Sequence, residues 1–274
     1  MLISFVVPIY KSEKTIVKTI EDRINSLKKV QAKHNFDYEI ICVIDGILDN
    51  SKDILLEKNF DKVKVFGYQK NQGKGFAIRY GFERANGDLI GFIDDGSNFD
   101  ADVICNLVDA FVQNPEIDTA VASKKHPESK LVYPLKRKIF TWGYSLVTRI
   151  ATGIKYKDTQ VGAKLFRQEL VEKVIPRLLV KRFAIDVEIL AVANFLGYNK
   201  HIDVPVTIDF NTDKSSAATF KSMKQMLQDT LAVGYRLRIR NWYHDNNSVM
   251  WSSFENEEIE AVATQDQYHM MSAN

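Results

Sequence analysis

The sequence predicts an α/β fold in which a mostly parallel sheet is covered by helices on both faces. Short strings rich in Val and Ile alternate with amphipathic segments through the first 123 residues. These strings are continuously apolar, as is typical of parallel strands buried on both faces. Several of them end abruptly in acidic, proline or glycine residues. Ligands of such sheets bind beyond the carboxyl ends of the strands, so we expect the functional site there.

The elements of the first half follow from periodicity and from helix start and stop signals. The predicted strands are Ile3–Val7, Tyr38–Ile44, Val63–Phe66, Asp88–Ile93 and Thr119–Ala122. The predicted helices are Ser12–Val30, Ser51–Lys58, Gly75–Ala85 and Asp100–Gln113. Ser12 is a candidate N-cap of the first helix because its hydroxyl could accept a hydrogen bond from a free backbone N–H.

The regular alternation stops at Lys124. Between Lys124 and Lys157 there are nine Lys or Arg residues and a single acid, Glu128, with aromatic residues interleaved. The further predicted elements are a helix Leu135–Thr152, a strand Gly162–Phe166, helices Gln168–Val174 and Ala184–Phe195, a strand His201–Ile208 and an amphipathic helix Thr219–Arg240. After Asn241 the chain has six acids and no Lys or Arg, so we expect 243–274 to be a polar, acidic and poorly ordered tail.

Composition excludes several classes of protein. With 45% hydrophobic and 26% charged residues the chain is typical of a globular protein, and its net charge of +2 argues against a nucleic-acid partner. Cys42 and Cys105 lie in apolar strings and are predicted to be buried thiols, which suits a reducing cytoplasm. The sequence has no secretory signal and no apolar run near the roughly 20 residues of a membrane span.

The helix Leu135–Thr152 has two interpretations. Its apolar stripe could pack on the core while its basic side is solvated. Alternatively, aromatic residues beside Lys and Arg suit the boundary of a membrane with anionic headgroups. A peripheral location on the inner face of the membrane is therefore one of the expectations for this protein.

Three strand ends carry side chains suited to a nucleotide. Asp94 and Asp95 end an apolar run, and paired carboxylates there suit a divalent cation on a diphosphate. Tyr10 could stack on a flat ring, and Asp45 could accept hydrogen bonds from a nucleobase or ribose. Each of these features taken alone is also compatible with an ordinary turn.

The segment Asn71–Arg79 places two glycines immediately before a predicted helix. Glycine allows a tight turn, and a helix N-terminus presents backbone N–H groups that could face a phosphate. Lys74 and Arg79 add positive charge. The spacing matches neither a P-loop nor a dinucleotide-binding fingerprint, so an ATPase or a dehydrogenase does not follow.

Taken together, these motifs resemble those of the family 2 glycosyltransferases, which have the GT-A fold. The matching strings are Val-Pro-Ile-Tyr with Glu13, Asp45-Gly46 with Asp49, Asn71-x-Gly73-Lys74-Gly75-x-Ala77-x-Arg79 and Asp94-Asp95-Gly96. In the second half, the strings Asp158–Phe166, Phe183–Leu190 and Val204–Val206 resemble the polyprenyl (dolichol) phosphate sugar transferases, especially the glucosyltransferase branch. The resemblance covers Ile3 to Trp242 and implies one GT-A domain, 1–242, with a donor half 1–123 and an acceptor half 124–242.

The resemblance implies a role for each matching residue. On the donor side these are Pro8, Tyr10, Glu13 and Asp45 for the nucleoside, Lys74 and Arg79 in the segment that supports the nucleotide, and Asp94 and Asp95 for Mg²⁺ or Mn²⁺. On the acceptor side they are Asp158 as base or as the residue that orients the acceptor phosphate, Gln160 facing the sugar, and Lys136 and Arg137 on the acceptor phosphate. Asp95 is counted with Asp158 and Gln160 among the catalytic residues.

The sequence departs from the family at the acidic motif. The family reads Asp-x-Asp, whereas here the two acids are adjacent. Either the middle residue is missing and Asp95 is the second acid, or Asp95 occupies the variable position and Gly96 replaces a ligand. The family's first acid of the Asp-Asp-Gly turn is Ile44 here, and its Asn after the tyrosine is Lys11.

The resemblance implies an inverting hexosyltransferase. We expect it to move glucose from UDP-glucose, or mannose from GDP-mannose, onto a polyprenyl phosphate. One alternative keeps the fold but uses a soluble saccharide as acceptor. Another is a catalytically weakened protein that only binds a nucleotide-sugar. Asp186 and Glu188, two residues apart on a predicted helix, do not share a face, and Asp186 is compatible with either the active site or the helix surface.

Overall fold

The computed structural model describes residues 1–96, 102–132, 135–209, 220–244 and 258–259, without the side chains of 131–142, 209, 220–221 and 258–259. Its strands are β1 (Leu2–Ile9), β2 (Asp37–Asp45), β3 (Val63–Tyr68), β4 (Leu89–Ile93), β5 (Thr119–Ala122), β6 (Lys130–Val132), β7 (Ala163–Arg167), β8 (His201–Val204), β9 (Thr207–Asp209) and β10 (Glu258–Ile259). Its helices are α1 (Ile16–Gln31), α2 (Ser51–Lys58), α3 (Lys74–Phe82), α4 (Asp102–Gln113), α5 (Leu135–Thr152), α6 (Gln168–Val174), α7 (Ile185–Phe195) and α8 (Phe220–Arg238), with a 3-10 turn at Ile175–Arg177.

One mostly parallel sheet organises the molecule. Its strand order is β10-β3-β2-β1-β4-β7-β5-β8, and β6 pairs with β9 in a small separate sheet. In the main sheet β7 and β10 run antiparallel to their neighbours, whereas the other neighbouring strands are parallel to each other. Because β7 lies between β4 and β5, the second half of the chain completes the sheet begun by the first.

Each face of the sheet has its own apolar core. Phe5 and Val7 of β1 join a core that includes residues of α1, α2 and α4. Val6, which points the opposite way, joins a second core with residues of α3, α6 and α7. Strand side chains alternate between faces, so continuously apolar strands need helices on both sides. The predicted fold class is therefore confirmed.

The largest difference from the predicted elements is at His201–Ile208, which we expected to be one strand. Pro205 has no N–H for a ladder, and the chain leaves the main sheet there. Beyond it, Thr207–Asp209 pairs with Lys130–Val132, a strand that the sequence did not predict. The first helix also begins later than expected, because Ser12 is followed by a turn and the helix starts at Ile16.

Two further expectations concern the cysteines and the tail. Cys42 and Cys105 are buried and free, as predicted. Tyr243 is fully buried, so ordered structure extends beyond Asn241. Glu258–Ile259 pairs with β3, and the rest of the predicted tail lies outside the described residues. Among the helices in the described ranges, none combines the length and apolar composition needed to cross a bilayer.

Candidate active site

The carboxyl edge of the sheet gathers most of the predicted site residues. Parallel strand β2 ends there at Asp45, β1 and β4 end there just before Tyr10 and Asp94, and antiparallel β7 begins there after Gly162. The Asp94 N–H donates a hydrogen bond of 2.8 Å to the Gly162 carbonyl. A β-carbon added to Gly162 would lie 1.9 Å from Asp94 Oδ2. A side chain at position 162 would therefore displace the Asp94 carboxylate from its present position.

A row of four alternating charges runs from this edge into the interior. Lys74 Nζ lies 2.8 Å from Asp94 Oδ1 and 3.1 Å from Asp186 Oδ2. Lys164 Nζ lies 2.5 Å from Asp186 Oδ1 and donates to the Val161 carbonyl at 2.6 Å. The Asp94 side chain keeps 32% of its surface accessible, whereas that of Lys164 keeps 0%. Asp94 is thus the end of the row that a ligand can reach.

The electrostatics of the row follow from burial and pairing. Burial alone would lower the pKa of Lys74, but the charges of Asp186 and Asp94 outweigh it and raise that pKa, so the ammonium stays charged. Burial raises the pKa of Asp94, and the charge of the Lys74 ammonium opposes this rise. Oδ1 of Asp94 receives no hydrogen bond of good geometry even though the ammonium is near. This oxygen is itself buried, and its charge is balanced by the Lys74 ammonium at 2.8 Å.

Asp95 faces a different part of the edge. Its Oδ2 accepts hydrogen bonds from the Ser12 hydroxyl and, at 3.5 Å, from the Tyr10 N–H. Burial raises the pKa of Asp95 to about 6, and the hydroxyl and the N–H oppose this rise. Ser12 therefore does not cap α1 as predicted; its hydroxyl holds Asp95 instead. A short polar side chain beside a strand end serves either purpose, and only the fold decides which.

The turn that carries both acids is held from behind by Arg23 of α1. Its guanidinium lies 3.5 Å from the Asp94 carbonyl and 3.3 Å from the Gly96 carbonyl. Arg23 is 2% exposed, and burial lowers its pKa. Arg23 lies 71 residues before Asp94 in the sequence, so the local pattern gave no signal for this contact.

Asp45 is buried, and both of its oxygens are committed to the protein. Oδ1 accepts from the Tyr68 hydroxyl at 2.8 Å and the Gln72 N–H at 2.8 Å, and Oδ2 accepts from the Asn71 amide at 2.7 Å. The Gly73 N–H donates to both oxygens. The acceptor positions of Asp45 are thus occupied by Tyr68 and by the loop before α3, and its contact with a nucleoside stays a prediction.

The start of α3 is likewise occupied by protein. Asp45 takes two backbone N–H groups there, and the Phe76 N–H donates to the Lys181 carbonyl at 3.1 Å. Gly73 has a φ of +105°, and an added β-carbon would lie 2.5 Å from the Lys181 carbonyl oxygen. The glycines are needed for the close approach of the 178–182 loop, and the expected phosphate cradle is not formed at these N–H groups.

Arg79 lies apart from the four-charge row. Its Nε donates to Glu83 at 3.0 Å, and its Nη1 donates to the Leu178 carbonyl at 3.4 Å. The side chain is buried, so its charge links α3 to the same 178–182 loop. Arg79 therefore anchors this loop, and its place in the segment that supports the nucleotide stays a prediction.

The rim around Tyr10 remains open. Tyr10 is 49% exposed, and its ring has Lys11 Nζ at 5.6 Å from the centroid. Glu13 is tied down, because its Oε2 accepts from the Asn50 N–H at 3.2 Å. Pro8 lies within β1 opposite Val43 of β2, beyond the point where pairing with β4 stops. The missing N–H of this proline therefore breaks no ladder on the β4 side.

Asp158 is buried beside the end of β5. Its Oδ2 accepts from the Lys124 N–H at 3.1 Å and lies 3.4 Å from Lys124 Nζ. Its Oδ1 accepts from the Gln160 N–H at 3.0 Å. Asp158 thus fixes the backbone on which Gln160 is carried and holds one lysine near the edge. The side chains of Lys136 and Arg137, expected on the acceptor phosphate, lie outside the described residues.

Glu188 and Asp186 are both buried but serve opposite sides of α7. Glu188 accepts from the Leu179 and Val180 N–H groups and from the Tyr243 hydroxyl at 2.6 Å. The surface alternative for Asp186 is wrong, since this residue forms part of the four-charge row. The sequence did contain a signal for this burial, because the two acids lie in an otherwise largely apolar helix and buried carboxylates need hydrogen-bond donors.

Asp94 and Asp95 are the residues that could hold a divalent cation. Their hard carboxylate oxygens suit Mg²⁺ or Mn²⁺, and the Asp94 oxygen without a good donor fits a cation better than a neutral ligand. In the described ranges no group of three or more acid, His or Cys side chains has metal-binding geometry. The remaining ligands would have to come from water and substrate, as is usual for Mg²⁺.

Comparison with curated proteins gives close relatives over most of the chain. A dolichyl-phosphate beta-glucosyltransferase of Trichomonas vaginalis is 30% identical over 86% of this chain and 75% of its own length. The human dolichyl-phosphate beta-glucosyltransferase is 29% identical over 88% of this chain and 77% of its own. The corresponding protein of Saccharomyces cerevisiae is 29% identical, covering 90% and 78%.

Solved structures share the fold at low identity. Mannosyl-3-phosphoglycerate synthase from Rubrobacter xylanophilus superposes with a TM-score of 0.64 at 18% identity, covering 93% of this chain and 78% of its own. Glucosyl-3-phosphoglycerate synthase from Mycobacterium tuberculosis gives 0.60 at 18% identity, covering 85% and 78%. The model of glycosyl transferase family 2 matches residues 4–175. The chain belongs to glycosyl transferase family 2.

Proposed function

We propose that this protein transfers glucose from a nucleotide-sugar to a polyprenyl phosphate, with inversion at the sugar. The observation that carries the proposal is the meeting of Asp94 with the Asp158–Gly162 segment at one edge of the sheet, where the Asp94 N–H bonds to the Gly162 carbonyl. Donor-side and acceptor-side motifs are thereby within one site. The dolichyl-phosphate beta-glucosyltransferases, similar along most of the chain, support the sugar and the lipid.

The donor would lie along the ends of β1, β2 and β4. The exposed Tyr10 ring is free to stack on the base, and Glu13 fixes the turn beside it by binding Asn50. Asp45 would act indirectly, by fixing the loop that leads into α3 and its first residue, Lys74. UDP-glucose is the proposed donor, and GDP-mannose is the competitor to be tested against it.

Asp94 and Asp95 would hold Mg²⁺ or Mn²⁺ against the donor diphosphate. Bound there, the cation neutralises the charge that grows on the leaving group. Solved relatives in fold were crystallised with Mn²⁺ and UDP in one case and with Mn²⁺ and GDP-Man in another. Lys74 adds a fixed positive charge beside Asp94, which balances the acids when no donor is bound.

The reaction needs an oxygen of the acceptor phosphate in line with the bond between sugar C1 and the diphosphate. That oxygen forms the new bond to C1 as the nucleoside diphosphate leaves with the bonding electrons. A phosphate is already anionic at neutral pH, so no strong base is required. Asp158 is therefore proposed to orient the acceptor side through Lys124 and Gln160, with Lys136 and Arg137 contributing charge.

The proposal is tested by supplying radiolabelled UDP-glucose or GDP-mannose, Mg²⁺ or Mn²⁺ and a short-chain polyprenyl phosphate in detergent. We expect label from UDP-glucose to enter an organic-extractable lipid, and Asp94→Asn to abolish this transfer. EDTA should also abolish it. Transfer only to soluble saccharides would overturn the acceptor, and absence of transfer from any nucleotide-sugar that stabilises the fold would overturn the activity.

A further inference from the structure

Lys74 occupies the carboxylate that is proposed to hold a cation. Its Nζ lies 2.8 Å from Oδ1 of Asp94 and 3.1 Å from Oδ2. Oδ1 is a buried atom, so there is little room around it for a second partner. The ammonium and a divalent cation carry charges of the same sign, and they would compete for the same two oxygens. Cation binding at Asp94 therefore requires Lys74 to loosen its hold on this carboxylate.

Asp186 is the second acid that holds Lys74. Its Oδ2 lies 3.1 Å from Lys74 Nζ, and its side chain is only 3% exposed. A ligand does not reach an acid buried to this degree, so this ion pair can persist while Asp94 changes partners. Burial would raise the pKa of Asp186, but the charges of Lys164 and Lys74 outweigh it and lower that pKa. The carboxylate of Asp186 thus stays ionised.

Lys164 fixes the orientation of Asp186. Its Nζ donates to Asp186 Oδ1 at 2.5 Å, and its side chain is 0% exposed. Lys164 lies in β7, opposite Phe92 of β4 on one side and Val121 of β5 on the other. A lysine carried by a strand that is paired on both sides has a fixed position. Lys164 therefore engages one oxygen of Asp186 and leaves the other to Lys74.

The two lysines differ in their freedom to move. Lys74 is the first residue of α3, and its side chain keeps 16% of its surface accessible, in contrast to the enclosed Lys164. The ring of Phe92 lies 5.3 Å from Lys74 Nζ and 5.1 Å from Lys164 Nζ, measured to its centroid. An aromatic ring stabilises a nearby ammonium without using either acid. Lys74 thus keeps Asp186 and this ring as partners when a cation takes Asp94.

We propose that Asp186 is a positioning residue that sets the affinity of Asp94 for a divalent cation, by holding Lys74 when the cation displaces it. The inference rests on the proposed function, in which Asp94 is a ligand of Mg²⁺ or Mn²⁺. Without the charge of Asp186, the Lys74 ammonium would pair more tightly with Asp94. The loss of one negative charge near an incoming cation acts in the same direction. Lys164 contributes indirectly, by orienting Asp186.

The main test is Asp186→Asn in Mn²⁺ titrations of the whole chain, without and with UDP, followed by the electron paramagnetic resonance signal of the free ion. We expect the Mn²⁺ affinity to fall roughly tenfold, because Lys74 then competes more strongly for Asp94. Glu188→Gln is the matched control. Glu188 is also a buried acid of α7, but it accepts hydrogen bonds from the Tyr243 hydroxyl and from backbone N–H groups. This control should lose stability in urea denaturation and keep its Mn²⁺ affinity.

A double-mutant cycle tests whether Asp186 acts through Lys74. Lys74→Met removes the competing ammonium and should raise the Mn²⁺ affinity. When Lys74→Met is already present, Asp186→Asn should change the Mn²⁺ affinity far less than it does in the wild type. If Asp186→Asn does not fold, Lys164→Met/Asp186→Asn takes its place, because it removes the buried ammonium together with its partner. The Mn²⁺ affinity should fall in that variant too.

Equal Mn²⁺ affinity in the wild type and Asp186→Asn would overturn the inference, as would a wild type that binds no Mn²⁺. An equal loss with and without Lys74 would also overturn it, since Asp186 would then act by its own charge alone. Failure of the proposed function gives a different result. A wild type that shows the expected cycle but transfers no sugar supports the role of Asp186 and refutes the transferase. Sugar transfer by a wild type that binds no divalent cation does the reverse.

Discussion

Asp45 and Asp94 end the two strands that flank β1, yet their surroundings are opposite. Asp45 is 3% exposed and accepts hydrogen bonds from backbone N–H groups, an amide and a phenol, so its oxygens are fully used. Asp94 keeps 32% of its side-chain surface accessible, faces an ammonium and has an oxygen without a good donor. Asp45 therefore stabilises the loop before α3, whereas the Asp94 side chain is accessible to a ligand.

The comparison shows that two aspartates at similar strand ends differ in role because different hydrogen-bond donors and charges surround them. Hydrogen bonds from fixed neutral groups satisfy a carboxylate locally and tie down a loop. An ion pair with a lysine satisfies charge but leaves oxygen lone pairs for a cation or a substrate. Variants at these two aspartates and at the groups that position them can break or refine this division.

The largest effect is expected for Asp94→Asn. We expect kcat/KM for sugar transfer to fall on the order of a thousandfold, about 4 kcal/mol in activation free energy, because a cation ligand is lost. The free energy of unfolding should change by less than about 1 kcal/mol, since the partly exposed amide keeps the shape. Steady-state kinetics and urea denaturation measure the two quantities, and a large loss of stability with little loss of activity would reverse the assignment.

The interior end of the charge row is tested by Lys164→Met. Removing the buried ammonium leaves Asp186 one partner short, and we expect a loss of roughly 3 kcal/mol in the free energy of unfolding. The double variant Lys164→Met/Asp186→Leu should regain much of that stability, but not activity, because Lys74 then loses its second partner. Stability changes that simply add would argue against a coupled row.

Asp45→Asn should affect folding more than chemistry. An amide cannot accept all of the hydrogen bonds now made to the carboxylate, so we expect about 2 kcal/mol less stability in urea denaturation. The activity of the folded fraction should stay within roughly threefold of the wild type, since Asp45 acts by holding the loop before α3. If activity disappears while stability is kept, Asp45 contacts the nucleoside directly.

Gly162→Ala should give the smallest effect, about tenfold in kcat, because its β-carbon must push the Asp94 carboxylate aside. Gly143→Ala is the matched control, as an added β-carbon there meets no atom of the described residues within 4 Å. In helix α5 this control should raise stability by roughly 0.5–1 kcal/mol without changing kcat. Equal kinetics for the two variants would mean that the position of Asp94 does not matter.

Local pattern predicted the boundaries of the regular elements well. The helices Ser51–Lys58, Gln168–Val174 and Leu135–Thr152 and the strand Thr119–Ala122 have the predicted bounds. The strand His201–Ile208 was predicted wrongly because Pro205 redirects the chain to a partner strand about 75 residues earlier. Such a partner is set by tertiary pairing, which periodicity cannot report.

Site residues divide in the same way. The apolar strings and their abrupt acidic ends determined the α/β fold and the edge at which the acids meet, because buried parallel strands must end together. No local pattern predicted a role for Arg23 or Lys164, because the turn at Asp94 and the acid Asp186 that they contact lie 71 and 22 residues away along the chain. The resemblance also assigned Asp45, Arg79 and Asp94 alike to the binding of the nucleotide-sugar.

By itself, the sequence determined which charged groups reach the carboxyl edge of the sheet. Only the tertiary structure decided which of them stay available, because availability depends on the donors that other elements bring. The loop before α3 supplies hydrogen bonds to both oxygens of Asp45, whereas the first residue of α3, Lys74, and the residue before β7, Gly162, lie beside Asp94. The residue type sets the charge of a side chain, but its neighbours in the fold decide whether a ligand can reach it.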